Sequence, residues 1–215
     1  MIHNSIKNLI SIKKEIQLKN DNTEIIAVSK TFPIKNIFPL INHGHLHYGE
    51  NKVQEALEKW TDIKNDFTEI KLHLIGKLQT NKVKYALPLF DYIHSLDNTK
   101  LADKIALEQE KKKCKPKIFI QVNIGNEPQK NGVDLENLEK FLKNCLNNLN
   151  LNIVGLMCIP PINDDSKIFF EKMSKLKETT QLKELSMGMS SDYLDAVDFN
   201  ASFVRIGSKI FGERI

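Results

Sequence analysis

The chain has 215 residues, 41% of them hydrophobic, enough for one good core in an undivided domain. Its 31 lysines and arginines stand against 27 acidic residues, a formal net charge of +4, and are scattered among the acids except at Lys111-Lys112-Lys113, a run that suits a helix end. This pattern carries no nucleic-acid footprint, no apolar run is long enough for a membrane span, and Cys114, Cys145 and Cys158 are too few and too far apart for a disulfide framework or a zinc site.

In chain order, the opening MIHNSIKNLISIKKEIQLKN spaces Ile2, Ile6, Leu9, Ile10 and Ile16 as a helix does and lacks a signal-peptide core and cleavage site. The expectation is an N-terminal helix over residues 1–20 of a cytoplasmic, monomeric protein. Short apolar runs then alternate with amphipathic ones. Strands are predicted around Ile26, His47, Leu72, Ile93, Ile120, Ile153, Leu185 and Val204, with helices over 34–42, 53–60, 80–87, 101–112, 135–146, 167–180 and 193–199. Strands alternating with helices mean parallel βαβ units. Eight of them favour a single α/β domain over residues 1–215, a closed (β/α)8 barrel of the TIM type with the extra N-terminal helix packed on it; a doubly wound open sheet is the alternative.

The strand ends carry the chemistry. In IIAVSKTFP, Lys30 follows a buried run and precedes a proline-marked turn. Such an ammonium either reaches water along its own stem or sits in a pocket where desolvation frees the amine as a nucleophile. The other strand ends, among them Gly49-Glu50-Asn51, Gly76-Lys77-Leu78-Gln79 and Gly155-Leu156-Met157, also collect small and polar residues. That is the face where barrels hold their sites, so Lys30 is expected in the barrel mouth. His45 and His47 would share one face of a strand, but no further ligand follows at a suitable spacing, and no metal site is expected.

The last two strand ends form a second constellation. LSMGMSSD and FVRIGSKIFGER each place Gly and Ser between a strand and a helix start, with Ser190 or Ser191 and Ser208 as candidate caps. Backbone N–H groups there can hold an anion, and barrels commonly bind phosphate after strands seven and eight. Arg205 adds a charge able to pair with a phosphate or to hydrogen-bond a ring nitrogen.

Taken together, AVSKTFP, HYGENKVQE, HLIGKLQTNK, IHSLD, VNIGNEPQKNGV, GLMCIPP, LSMGMSSD and VRIGSKIFGER follow the order found in the pyridoxal-phosphate homeostasis proteins. That family resembles the barrel domain of bacterial alanine racemase and the fold-type III decarboxylases. The resemblance implies pyridoxal 5'-phosphate (PLP) bound as an imine to Lys30, with its phosphate near Ser190, Ser191, Gly207 and Ser208. It further implies Asn51 at the site rim, from the family's GEN motif, and Arg205 beside the cofactor. Asn200-Ala201-Ser202 stands where the family usually has a Gly before the last strand, which puts the local turn in question.

Activity is a separate matter. A racemase of this barrel type takes its second base from another domain across a dimer, whereas this sequence ends at Ile215 with Lys30 as the one base in view. An arginine facing the pyridine nitrogen would also weaken the electron sink. The expectation is a non-catalytic protein that stores, buffers or delivers PLP, with PLP-dependent apoenzymes as candidate recipients. A PLP-dependent racemase or decarboxylase is the alternative, and a Schiff-base aldolase a third reading. His73 and Gln79 are expected at the third strand end, Lys130 in a solvated loop, and Met187 and Met189 in packing roles.

Overall fold

The computed structural model describes residues 2–127 and 129–213. Its eight parallel strands are β1 (Glu24–Val28), β2 (His47–Glu50), β3 (Lys71–Leu74), β4 (Tyr92–Leu96), β5 (Lys117–Gln121), β6 (Ile153–Met157), β7 (Glu184–Met189) and β8 (Phe203–Ile206). Each pairs with the next in sequence, and β8 closes on β1 through Ile25 with Val204 and Ala27 with Ile206. The open-sheet alternative is thereby excluded.

The helices are α1 (Asn4–Gln17), α2 (Ile34–Asn42), α3 (Val53–Asp66), α4 (Val83–Ala86), α5 (Thr99–Lys112), α6 (Leu135–Lys143), α7 (Ser166–Thr180), α8 (Tyr193–Asp198) and α9 (Ser208–Phe211). A 3₁₀ turn, Thr80–Lys82, precedes α4, and a π turn, Asn144–Asn148, extends α6. The helix α3 runs past the expected end at Trp60. Ile63 continues the buried stripe of Val53, Ala56 and Trp60 at helical spacing, so the apolar face outlasts the polar residues around it. In α1 the buried stripe is Ser5, Leu9, Ile12 and Ile16, while Ile2 is exposed, so the buried face is rotated from the expected one. This face packs on α2, α8 and α9.

Strand burial explains the continuous apolar runs, because each strand is covered on both faces. The larger core lies between sheet and helices; a smaller cluster of Ile26, Tyr92, Phe119, Met157 and Phe203 is made by side chains of β1, β4, β5, β6 and β8. Among them are buried polar groups, His73, His94, Ser186 and Arg205. The turn before β8 is solved without glycine: Asn200 has φ 60°, a left-handed conformation that asparagine tolerates better than most residues.

Candidate functional site

A cavity of about 700 Å³ opens at the C-terminal ends of the strands. It brings together Lys30, Asn51, Ser190, Ser191, Arg205, Gly207 and Ser208, which arrive from four separate strand ends. Ile75, Gly76, Ile159, Met189 and Glu213 complete much of the wall, whereas β4 and β5 contribute no lining residue. Their ends brace neighbouring loops instead. Ser95 Oγ donates to the Gly76 carbonyl at 2.7 Å, and Asn123 bonds the backbone of Glu127 in its own loop.

Lys30 is half-buried one residue after Ser29, and the turn beneath it is tied down by a buried carboxylate. Glu50 Oε1 accepts from Ser29 Oγ at 2.7 Å, from Trp60 Nε1 at 2.9 Å and from Lys59 Nζ at 3.0 Å. The Lys59 ammonium also donates to the Ser29 carbonyl and to Glu55, each at 3.0 Å. Glu55 in turn accepts from the Thr31 N–H at 2.6 Å. Thr31 has φ 68°, a conformation a β-branched residue rarely adopts and one that surrounding bonds must hold. The strain sits directly beside the lysine.

Asn51 follows Glu50 and lies against β3. A Cβ on Gly76 would collide with the Asn51 carbonyl oxygen, so only glycine lets the two strand ends approach so closely. Asn51 Oδ1 is buried without a hydrogen-bond partner among the described residues. Such an atom is costly unless something else in the cavity satisfies it.

The two Gly/Ser loops fold differently from the capping expected of them. Ser190 and Ser191 precede α8, but the residue at its N-cap is Asp192, whose Oδ1 accepts from the Met189 N–H at 2.6 Å. Gly207 holds the N-cap position of α9, and Ser208 is its first residue. A carboxylate outcompetes a hydroxyl for the loop N–H, leaving the serine side chains for the cavity. Ser190 Oγ accepts from the Gly207 N–H at 3.4 Å and so links the two loops. Gly188, at φ 87° with Ala196 Cβ only 2.6 Å from where its own Cβ would lie, lets β7 turn tightly into α8. Arg214, the last residue of FGER, lies outside the described residues.

Arg205 is buried along β8. Its Nη2 donates to the Cys158 carbonyl and its Nη1 to Ser186 Oγ, both at 2.8 Å. Behind Ser186 stand His94 Nδ1 at 2.8 Å, then His73, then His47, each ring meeting the next at 2.9 Å. Burial holds His73 and His94 well below the ordinary histidine range, and the nearby Arg205 charge lowers His94 further. This corrects the placement of His73: it is buried inside the barrel, stacked 4.2 Å from Tyr92, and does not line the cavity. Gln79 is exposed and also outside it. Lys130 pairs with Glu127 at 2.5 Å, Met187 is core and Met189 lines the cavity. His45 lies before β2 and donates from Nε2 to the His47 carbonyl at 2.9 Å rather than sharing a strand face with it.

Size alone would mislead. A larger groove of about 990 Å³ runs along α6, but there the exposed Lys143 and Glu139 pair at 2.6 Å, as on any solvated helix surface.

The family model for the alanine racemase N-terminal domain matches residues 4–215. A pyridoxal phosphate homeostasis protein from Aquifex aeolicus is 40% identical over 89% of this chain and 87% of its own length, and one from Haemophilus influenzae is 35% identical over 96% and 94%. Among solved structures, PipY of Synechococcus elongatus with PLP bound superposes with a TM-score of 0.86 at 32% identity, over 97% of this chain and all of that one. The alanine racemase of Clostridium difficile superposes with a TM-score of 0.77 at 13% identity, over 98% of this chain but 56% of the racemase, a likeness of fold. With a closed barrel and these matches along nearly its whole length, the chain belongs to the alanine racemase N-terminal domain family, on the branch of the pyridoxal phosphate homeostasis proteins.

Proposed function

We propose that this protein binds PLP in the strand-end cavity and serves PLP homeostasis by storing, buffering or delivering it. The observation that carries the reading is the meeting of Lys30, Arg205 and three serines in one cavity. The residues present fit the cofactor: an amine, a donor-only guanidinium, a hydroxyl cradle and the buried, unpartnered Asn51 Oδ1 match its aldehyde, ring nitrogen, phosphate and remaining polar edge. PLP supplies an aldehyde that a primary amine captures with loss of one water. Lys30 is the amine for that link, held in place by the Glu50 cluster beneath its turn.

Ser190, Ser191 and Ser208 offer hydroxyl donors, and the Gly207 N–H, joined to Ser190 Oγ by a long 3.4 Å bond, lies at the same end of the cavity. The helices behind them have six and four residues, so the serine hydroxyls and backbone N–H groups, more than any helix dipole, hold the phosphate. Arg205 can only donate, and its charge disfavours a proton on the ring nitrogen it faces. An unprotonated ring is a weak electron sink, which favours a carrier over an amino-acid enzyme. A cytoplasmic, monomeric carrier whose PLP passes to apoenzymes completes the proposal; among the described residues no helix is long and apolar enough to cross a membrane.

A catalytic reading has one observation in its favour. Glu213 at the cavity rim is a third ionisable group beside Lys30 and Arg205, and a carboxylate there could serve as a base. The carrier reading is tested by binding titrations of PLP and of pyridoxal to the protein and to Ser191→Ala and Ser208→Ala. Each substitution is expected to weaken PLP by about 1–3 kcal/mol and pyridoxal far less. Equal losses for both ligands would make the serines structural and remove the phosphate site.

A further inference from the structure

His47, His73, His94 and Ser186 lie on β2, β3, β4 and β7, and the contact between His94 and Ser186 joins strands that are not neighbours in the sheet. The chain of bonds therefore crosses the barrel interior. Its direction follows from one end. Arg205 donates only, so Ser186 Oγ accepts from it; the hydroxyl proton must then point to His94 Nδ1, the other partner of that oxygen among the described residues. A neutral His94 that accepts at Nδ1 carries its proton on Nε2 and donates to His73 Nδ1. His73 in turn donates from Nε2 to His47 Nδ1, which leaves the His47 Nε2 proton at the half-buried end.

The reverse order fails on satisfaction. If His94 donated to Ser186, that oxygen would accept twice and its own buried proton would have no acceptor among the described residues. A doubly protonated ring fails as well, because two N–H groups would face each other across a 2.9 Å contact. One donor sense runs through the whole barrel.

We propose that His94, backed by His73 and His47, is a positioning residue for Arg205: it keeps the Ser186 hydroxyl turned away from the guanidinium, so that Ser186 accepts there and fixes Arg205 at the inner wall of the cavity. The consequence for the cofactor rests on Arg205 facing the ring nitrogen, as read above. A guanidinium held by Ser186 on one side and the Cys158 carbonyl on the other cannot swing toward the phosphate serines. The histidines would thus decide which end of PLP Arg205 meets, without touching PLP themselves.

The test combines nitrogen NMR of the histidine rings and of the Arg205 side chain with PLP titration of the protein and of His94→Phe, His94→Asn and Ser186→Ala. Neutral Nε2–H tautomers are expected for all three histidines, with slowly exchanging Arg205 side-chain N–H signals. In His94→Phe those signals should broaden, PLP affinity should fall about tenfold, as for a lost buried hydrogen bond, and the pH dependence of the bound-PLP spectrum should shift. Lys30 should still capture the cofactor. His94→Asn returns an acceptor oxygen near the Nδ1 position and should restore each readout; Ser186→Ala should reproduce the Phe result and replaces it if His94→Phe does not fold. An Nδ1–H tautomer at His94, or Arg205 signals and a PLP spectrum unchanged in both His94→Phe and Ser186→Ala, would overturn the proposal. Absence of PLP binding by the unaltered protein would refute the carrier function, while the tautomers and Arg205 signals would still decide the positioning chain.

Discussion

Ser29 Oγ donates to Glu50 Oε1 at 2.7 Å, and this bond couples the residue before Lys30 to the residue before Asn51. Two strand ends of the cavity are therefore set by one buried carboxylate, which also receives Trp60 and Lys59.

Removing that carboxylate should be expensive. Glu50→Ala leaves the largely buried Lys59 ammonium with Glu55 as its one ionic partner among the described residues, strands the Trp60 N–H and leaves the Ser29 hydroxyl a long 3.4 Å contact to the Gly49 carbonyl. A loss of about 3–5 kcal/mol in urea unfolding is expected, as for other broken buried ion pairs, with a smaller loss for Glu50→Gln. A loss below about 1 kcal/mol for the alanine variant would show that the cluster does not hold the turn.

The turn before β8 gives an independent check on backbone reasoning. Asn200 is exposed at φ 60°, so a substitution there acts through the backbone and hardly through packing. Asn200→Gly should leave stability unchanged within about 1 kcal/mol, and Asn200→Val should cost about 1–3 kcal/mol. Thermal melts of the two variants would settle it, and equal melting temperatures would contradict the conformational account.

Acid should destabilise the protein through its buried histidines. Burial, with help from Lys13 and His47, lowers His45 to about 3, and His73 and His94 are also held well below the ordinary value of 6.5. Above pH 6.5 these rings are neutral folded or unfolded, and the full stability is present. As pH falls from 6.5 toward 3 the unfolded chain takes up protons that the folded chain refuses, so stability drops by about 1.4 kcal/mol per pH unit for each such ring. Urea unfolding at stepped pH measures the slope, and His45→Gln should flatten it by one proton. Stability that rises on acidification through this window would contradict the burial of neutral rings.

The barrel was legible because its strands are covered on both faces and read as continuous apolar runs between amphipathic helices. Lys30, Ser190, Ser191 and Ser208 were legible because polar residues at strand ends are placed by chain direction alone. The support beneath them was not. Glu50 meets Lys59 and Trp60 across a strand-to-helix turn, and the chain from His47 to Arg205 joins residues up to 92 positions apart in a single bond. Its trace in the sequence is faint but present: His73 in KLHL, His94 in YIHSL and Ser186 in ELSMGM are polar residues set within strands. The length of α3 escaped because Ile63 is a lone apolar residue in TDIKND, and only burial shows that it extends the stripe.

Binder and enzyme separate by proton exchange. Incubated with the PLP-loaded protein in deuterated solvent, L-alanine should exchange its α-hydrogen no faster than with free PLP, because the proposed contact of Arg205 with the ring nitrogen disfavours a proton there. Fast, stereospecific exchange that is lost in both Lys30→Ala and Glu213→Gln would move the protein among the PLP enzymes and assign Glu213 as the second base.

The most direct measurement of the central claim is borohydride reduction of the PLP-loaded protein, followed by peptide mass analysis. The expected result is one phosphopyridoxyl group on the peptide containing Lys30, absent in Lys30→Ala, which should keep a weaker, phosphate-dependent affinity for PLP. A protein left unmodified, or a label spread over surface lysines and undiminished in Lys30→Ala, would contradict the account.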